Sequence, residues 1–218
     1  FSKLYHRLSQ HLMYHDLRLC SLSFHPTEFE FKGPKRERDL TLWNWAQIAM
    51  CTYGPDINIQ IPEELLTKQF WETLPEKVNY YGPSLSASSF SSPFYKNRLW
   101  ETDFGIGQSA RTFFRSGAAP LYEFHGDKQG RFECSIFEMP NSLFEFRCYF
   151  LLWLTLLLDS ELPGRTSKAT VQQDLIQVAQ TGLSDAKIRS RGFEIIEAAF
   201  KILPKWGFDP SPLNEYSQ

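Results

Sequence analysis

The run from Ser142 to Leu162, SLFEFRCYFLLWLTLLLDSEL, limits the possible folds of this chain more than any other stretch. Ser142 and Glu145 have the spacing of a capping box, in which each side chain satisfies a backbone amide of the first helical turn. Pro163-Gly164 stops the helix. Between these signals, Cys148 to Leu158 carries no charge and one hydroxyl, so no side of the helix prefers water. A helix apolar all round is surrounded by protein or by lipid. Glu145 and Arg147 break the run before it reaches the roughly 20 apolar residues of a bilayer span, so the expectation is the centre of a protein core.

The remaining elements arrange themselves around that helix. Leu4, Leu8 and Leu12 give residues 2–16 one apolar stripe and predict an amphipathic helix. Leu17–Phe24 and Glu28–Lys32 read as the strands of a first hairpin closed by Gly33-Pro34. An apolar helix is expected from Leu40 to Met50. Ile57, Ile59 and Ile61 alternate as a short strand, and Pro62 is placed to open a helix through Leu74. Leu121–His125 and Arg131–Glu138 form a second hairpin across Gly126–Gly130. Two late helices follow the apolar one, over 167–181 and from a Ser184 cap to Leu203, and an irregular tail closes the chain. Strands pair locally and helices gather late. The expected class is therefore α+β, with antiparallel hairpins packed against a mainly C-terminal helical layer and a central buried helix near 143–162. The reading is a single domain over 1–218. The serine- and proline-rich stretch 82–93 marks a mobile loop where two lobes, 1–82 and 94–218, would meet.

A formal charge of −2 gives no global support for nucleic-acid binding. The cysteines Cys20, Cys51, Cys134 and Cys148 are scattered with no C-x-x-C pair, which suits thiols in a reducing, cytoplasmic compartment. No signal peptide precedes them. The chain opens on Phe1 rather than methionine, so it is expected to be a domain or fragment of something longer.

Chemistry-bearing residues fall into separate groups. Asp16 precedes Glu30-Phe31-Lys32, and a period of two points Glu30 and Lys32 to one side of a strand. Helix, strand, turn, strand over 1–32 resembles the core of the PD-(D/E)XK nucleases. The resemblance implies Mg²⁺ held by Asp16 and Glu30, with Lys32 activating the attacking water. The sequence departs from that family in placing His15 rather than proline before Asp16, and no parallel crossover follows. His11 and His15, one turn apart on a helix, have zinc-chelating spacing without a third ligand. Gly105, Gly107 and Ala110 fit G-x-G-x-x-A, but the polar segment before them is no buried parallel strand, so a turn is expected. Lys96, Arg98, Arg111 and Arg115 alternate with Trp100 and Phe114, a pattern suited to stacking on bases or to holding planar anionic ligands. No Walker loop, G-x-S-x-G or H-E-x-x-H occurs.

The leading expectation is a non-catalytic intracellular binding and interaction module, a subunit or domain of a larger assembly. Its partner would be another protein or further domains of the same chain, with Ser84–Ser92 and the tail as contact elements and no membrane involved. No cofactor is expected. The alternatives are the Mg²⁺-dependent nuclease and an aromatic-lined small-molecule pocket between the second hairpin and the late helices.

Overall fold

The structure is a computed structural model and describes residues 2–18, 20–30, 47–117, 120–126 and 130–216. Helix α1 spans Ser2–Tyr14, as the leucine spacing predicts. Strand β1 (Ile57–Gln60) alternates buried and exposed residues. Helix α2 (Lys68–Ala87) starts where the Thr67 side chain accepts from the Phe70 amide. The helix expected from Pro62 through Leu74 opens there only as a 3-10 turn over Glu63–Leu65 and becomes α-helical from Lys68. Two small hairpins follow: β2 (Phe94–Tyr95) with β3 (Arg98–Leu99), then β4 (Glu101–Thr102) with β5 (Gly105–Ile106). Helix α3 covers Ala110–Arg115. Strands β6 (Tyr122–His125) and β7 (Arg131–Cys134) form the expected second hairpin. The remaining helices are α4 (Leu143–Leu158), α5 (Lys168–Thr181), α6 (Ala186–Ile202) and α7 (Pro212–Tyr216).

β1 pairs antiparallel with β7, with Ile57 opposite Cys134 and Ile59 opposite Phe132. The order β1-β7-β6 makes a small antiparallel sheet lying against helices, so the α+β class holds. α4 is the centre of the larger core. Its residues Cys148, Tyr149 and Leu151–Leu157 are all buried, and it packs on α2, α6 and α7. Among the described residues no helix is long and apolar enough to cross a membrane. A second, aromatic cluster joins Phe24, Trp100 and Ala179 with Phe29, Tyr95, Phe113 and Phe114 packed around them. No disulfide forms among the cysteines; Cys20 is exposed and the other three are buried. Burial pushes the Cys134 thiol up to about 12 and the Cys148 thiol up to about 11, which keeps both protonated and inert.

Several local expectations are corrected. The described part of the first hairpin holds no strand beyond an isolated bridge between Phe24 and Thr52. Phe29 packs instead against Tyr95, with the Lys96 ammonium 4.7 Å from its centroid. Lys32, Gly33-Pro34 and most of the helix expected from Leu40 lie outside the described residues. The stretch 82–87 is helix rather than loop, with Gly82–Ser86 buried. Ser84 Oγ donates to the Ile188 carbonyl at 2.5 Å, so this serine is a helix–helix contact. Asp185, not Ser184, caps α6 by accepting from the Lys187 and Ile188 amides. The tail is ordered by α7, whose Leu213 is fully buried, and by Tyr216 donating to the Ser88 carbonyl at 2.6 Å.

Candidate anion-binding pocket

The described residues enclose a cavity of about 770 Å³ between the 20–26 segment, residues 52–56, α3 and the chain leaving β7. Two backbone bonds fix the first two walls together: His25 N donates to the Cys51 carbonyl at 2.9 Å, and Tyr53 N donates to the Ser23 carbonyl at 2.8 Å. α3 supplies Arg111 and Arg115, one helical turn apart and therefore on the same side.

Arg111 is 5% exposed, and its Nε has no hydrogen-bond partner among the described residues. Its Nη2 makes one long bond, 3.4 Å, to the Ser135 carbonyl. Burial pulls the guanidinium below its ordinary pKa, while Glu138, Cys134 and Asp56 act the other way. Arg115 donates to Thr52 Oγ1 at 2.9 Å, and burial together with the neighbouring Arg111 brings it down to about 10. Both stay cationic near neutrality, and their mutual repulsion is relieved by negative charge between them. Asp56, on the rim, is raised by burial and by Glu133, against the pull of both arginines. His25 Nδ1 accepts from the Glu28 amide at 2.9 Å and the Thr27 amide at 3.3 Å, which places the proton of the neutral ring on Nε2. Gly54 is where the backbone passes closest: a Cβ there would sit 2.7 Å from the Phe137 carbonyl oxygen and 2.8 Å from Arg111 Nη2.

α3 is held in place by Glu138, a fully buried carboxylate. Glu138 Oε2 accepts from the Ser91 amide at 2.7 Å and from Ser92 Oγ, and Oε1 accepts from Ser109 Oγ and from Thr112 Oγ1 at 3.3 Å. Ser109 is also the N-cap of α3, accepting from the Thr112 amide at 2.9 Å. Glu138 thus spends its oxygens on hydroxyls and an amide, with no hydrogen bond to Arg111. The carboxylate lowers the field around Arg111 without occupying the cavity.

Of the candidate site residues singled out from sequence that the structure describes, Arg111 and Arg115 meet in this pocket, and the others do not. Trp100 and Phe114 belong to the aromatic cluster, with Lys96 above the Phe29 and Tyr95 rings. Arg98 is exposed on its small hairpin. Gly105, at φ +100°, turns the β4–β5 hairpin, and Gly107 lies against the Trp100 ring, so this motif serves packing. His11 and His15 touch edge to face, 4.9 Å between centroids, on exposed α1. Asp16 follows α1 with φ 55°, Glu30 is exposed, and Lys32 lies outside the described residues. Among the described residues no group of three or more His, Cys, Asp or Glu is placed to hold a metal. A separate hollow of about 450 Å³ lies between Leu121-Tyr122 and Lys168–Leu175, but Tyr122 is the one aromatic among the described residues lining it, so it is not the aromatic-lined pocket expected there. Thr52, Gly54, Asp56 and His25 were missed, because only the folded chain brings them beside α3. Glu138 did have a sequence signal: it continues the buried alternation Phe132, Cys134, Ile136.

No protein-family model matches the chain, and no curated protein matches it at a significant level.

Proposed function

We propose that this chain is a non-catalytic binding module whose ligand site is the Arg111–Arg115 cavity and whose ligand is a small anion. The observation that carries the reading is Arg111: a buried cation lining a cavity of about 770 Å³, with a buried donor atom left without a partner. Buried polar groups are almost always hydrogen-bonded, and a carboxylate or phosphate oxygen would supply the missing acceptor. The volume falls in the range of small-molecule sites. Single-stranded nucleic acid fits less well, because the cations Lys96 and Arg98 stand apart from Arg111 and Arg115 rather than forming one exposed track. A larger assembly in the cytoplasm remains the proposed setting, with exposed α1 (Leu4 67% exposed, Met13 68%) as the surface for a protein partner.

The test is thermal unfolding and calorimetric titration with acetate, phosphate and sulfate against chloride at matched ionic strength. Saturable stabilisation is expected, and Arg115→Gln should weaken it at least tenfold, about 1.4 kcal/mol, through loss of a charged hydrogen bond. If no anion stabilises the protein beyond the chloride control, the reading fails.

A further inference from the structure

The arginine cavity has a neighbour on its Met139 side. A second hollow of about 380 Å³ adjoins it, and Cys20 and Met139 belong to the walls of both. Pro55, in the second, sits between Gly54 and Asp56, in the first. The chemistry of the two is opposite. The second is bounded by Tyr5 and Leu8 of α1 and by Pro55, Leu143 and Phe146, with no charged residue. Its serines and asparagine are already engaged: Ser21 Oγ donates to Asn141 Oδ1 at 2.6 Å, and Ser142 Oγ accepts from the Glu145 amide at 3.1 Å. What it offers a ligand is mostly hydrocarbon. Tyr5 and Leu8 are 43% and 45% exposed, so α1 covers this groove without closing it.

We propose that the ligand is an amphipathic anion, with a carboxylate or phosphate head against Arg111 and Arg115 and an alkyl or aryl tail along the groove beneath α1. This rests on the anion-pocket reading and adds the tail. The head answers the under-bonded guanidinium, and the tail removes Leu8, Tyr5, Leu143 and Phe146 from water. An anion without a tail leaves the apolar hollow unfilled, and a neutral lipid leaves Arg111 Nε without an acceptor.

The experiment is calorimetric titration of the full chain with n-alkyl carboxylates from acetate to decanoate and with the matching alkyl phosphates, below their micellar concentrations. Affinity should rise about fourfold per methylene until the groove is filled, with one ligand per chain. The head that binds more tightly at equal tail length is the native class. Arg115→Gln should weaken every member of the series, and Leu8→Ser, on an exposed helix face, should lower octanoate affinity severalfold and flatten the series. If anions bind but chain length has no effect, the tail assignment is overturned and the pocket stands. If no anion binds, both fall. If the alkyl alcohols bind as tightly as the carboxylates, the head assignment is overturned.

Discussion

Lys77 shows how a single side chain is constrained by its surroundings. It lies on α2, 3% exposed, and its Nζ donates to the Asp159 carbonyl at the end of α4 at 2.7 Å. Burial, with Arg165 nearby, pulls the ammonium down to about 8 despite the attraction of Asp159. The folded value lies below the unfolded 10.5, so the unfolded chain holds this proton more tightly. The cost of burying the charge is therefore present in full below about pH 8 and fades as pH rises toward 10.5. Across that window the native protein should gain on the order of 3 kcal/mol relative to a Lys77→Met variant, which has no proton to lose there. Urea unfolding of both proteins at the two ends of the window measures the difference. An unchanging gap between them would show that the ammonium is not buried as described.

At the scale of elements, the same chemistry joins pieces distant in sequence. Glu138 ends the strand side of the fold, Ser91 and Ser92 follow α2, and Ser109 and Thr112 open α3, so one carboxylate ties three elements. Glu138→Ala would leave several buried hydroxyls without an acceptor and should cost about 3–5 kcal/mol. Glu138→Gln should cost less, because it keeps an acceptor and the hydroxyls can rotate to accept from its amide. Equilibrium denaturation ranks the variants, and an Ala variant as stable as the native protein would show the cluster to be incidental. This knot also marks where sequence stops being informative. α4, the β6–β7 hairpin, α5 and α6 were legible because their signals are local: an apolar run, a period of two around Gly126–Gly130, a Ser167 cap, a Gly182 stop. The serine stretch was not, because its propensity favours a loop. α2 nonetheless runs through Pro75 and Pro83, and its last turns are held by the burial of Gly82–Ser86 and by the Ser84 bond to α6. Of the pocket, the arginine pair was visible in the sequence. Its other walls come from residues 20–26 and 52–56, whose single bridge at Phe24 has no periodic signature.

For the molecule as a whole, the question is whether its two hydrophobic clusters melt together. The larger contains residues from Ile57 on β1 to Leu213 on α7, with Trp153 fully buried at its centre. The smaller surrounds Trp100 and reaches α5 through Ala179. α5 packs on both α2 and α3, and Arg191 of α6, 1% exposed, donates to Asp174 of α5 at 2.6 Å and to the Tyr80 carbonyl of α2 at 3.0 Å. The route between clusters is thus short and includes directional bonds from a buried guanidinium. Leu156 on α4 is fully buried, so Leu156→Ala opens a cavity and should cost about 2–5 kcal/mol. If the clusters are coupled, that cost reaches the Trp100 region as well. Tryptophan fluorescence of a background in which the other five tryptophans are replaced by Phe, so that Trp100 alone reports on the smaller cluster, should then shift to lower denaturant by the same amount as far-UV circular dichroism. Coincident transitions would be those of one cooperative body. A fluorescence midpoint that stays put while the helical signal moves would divide the chain into two units, and would place the arginine pocket in the one that does not depend on α4.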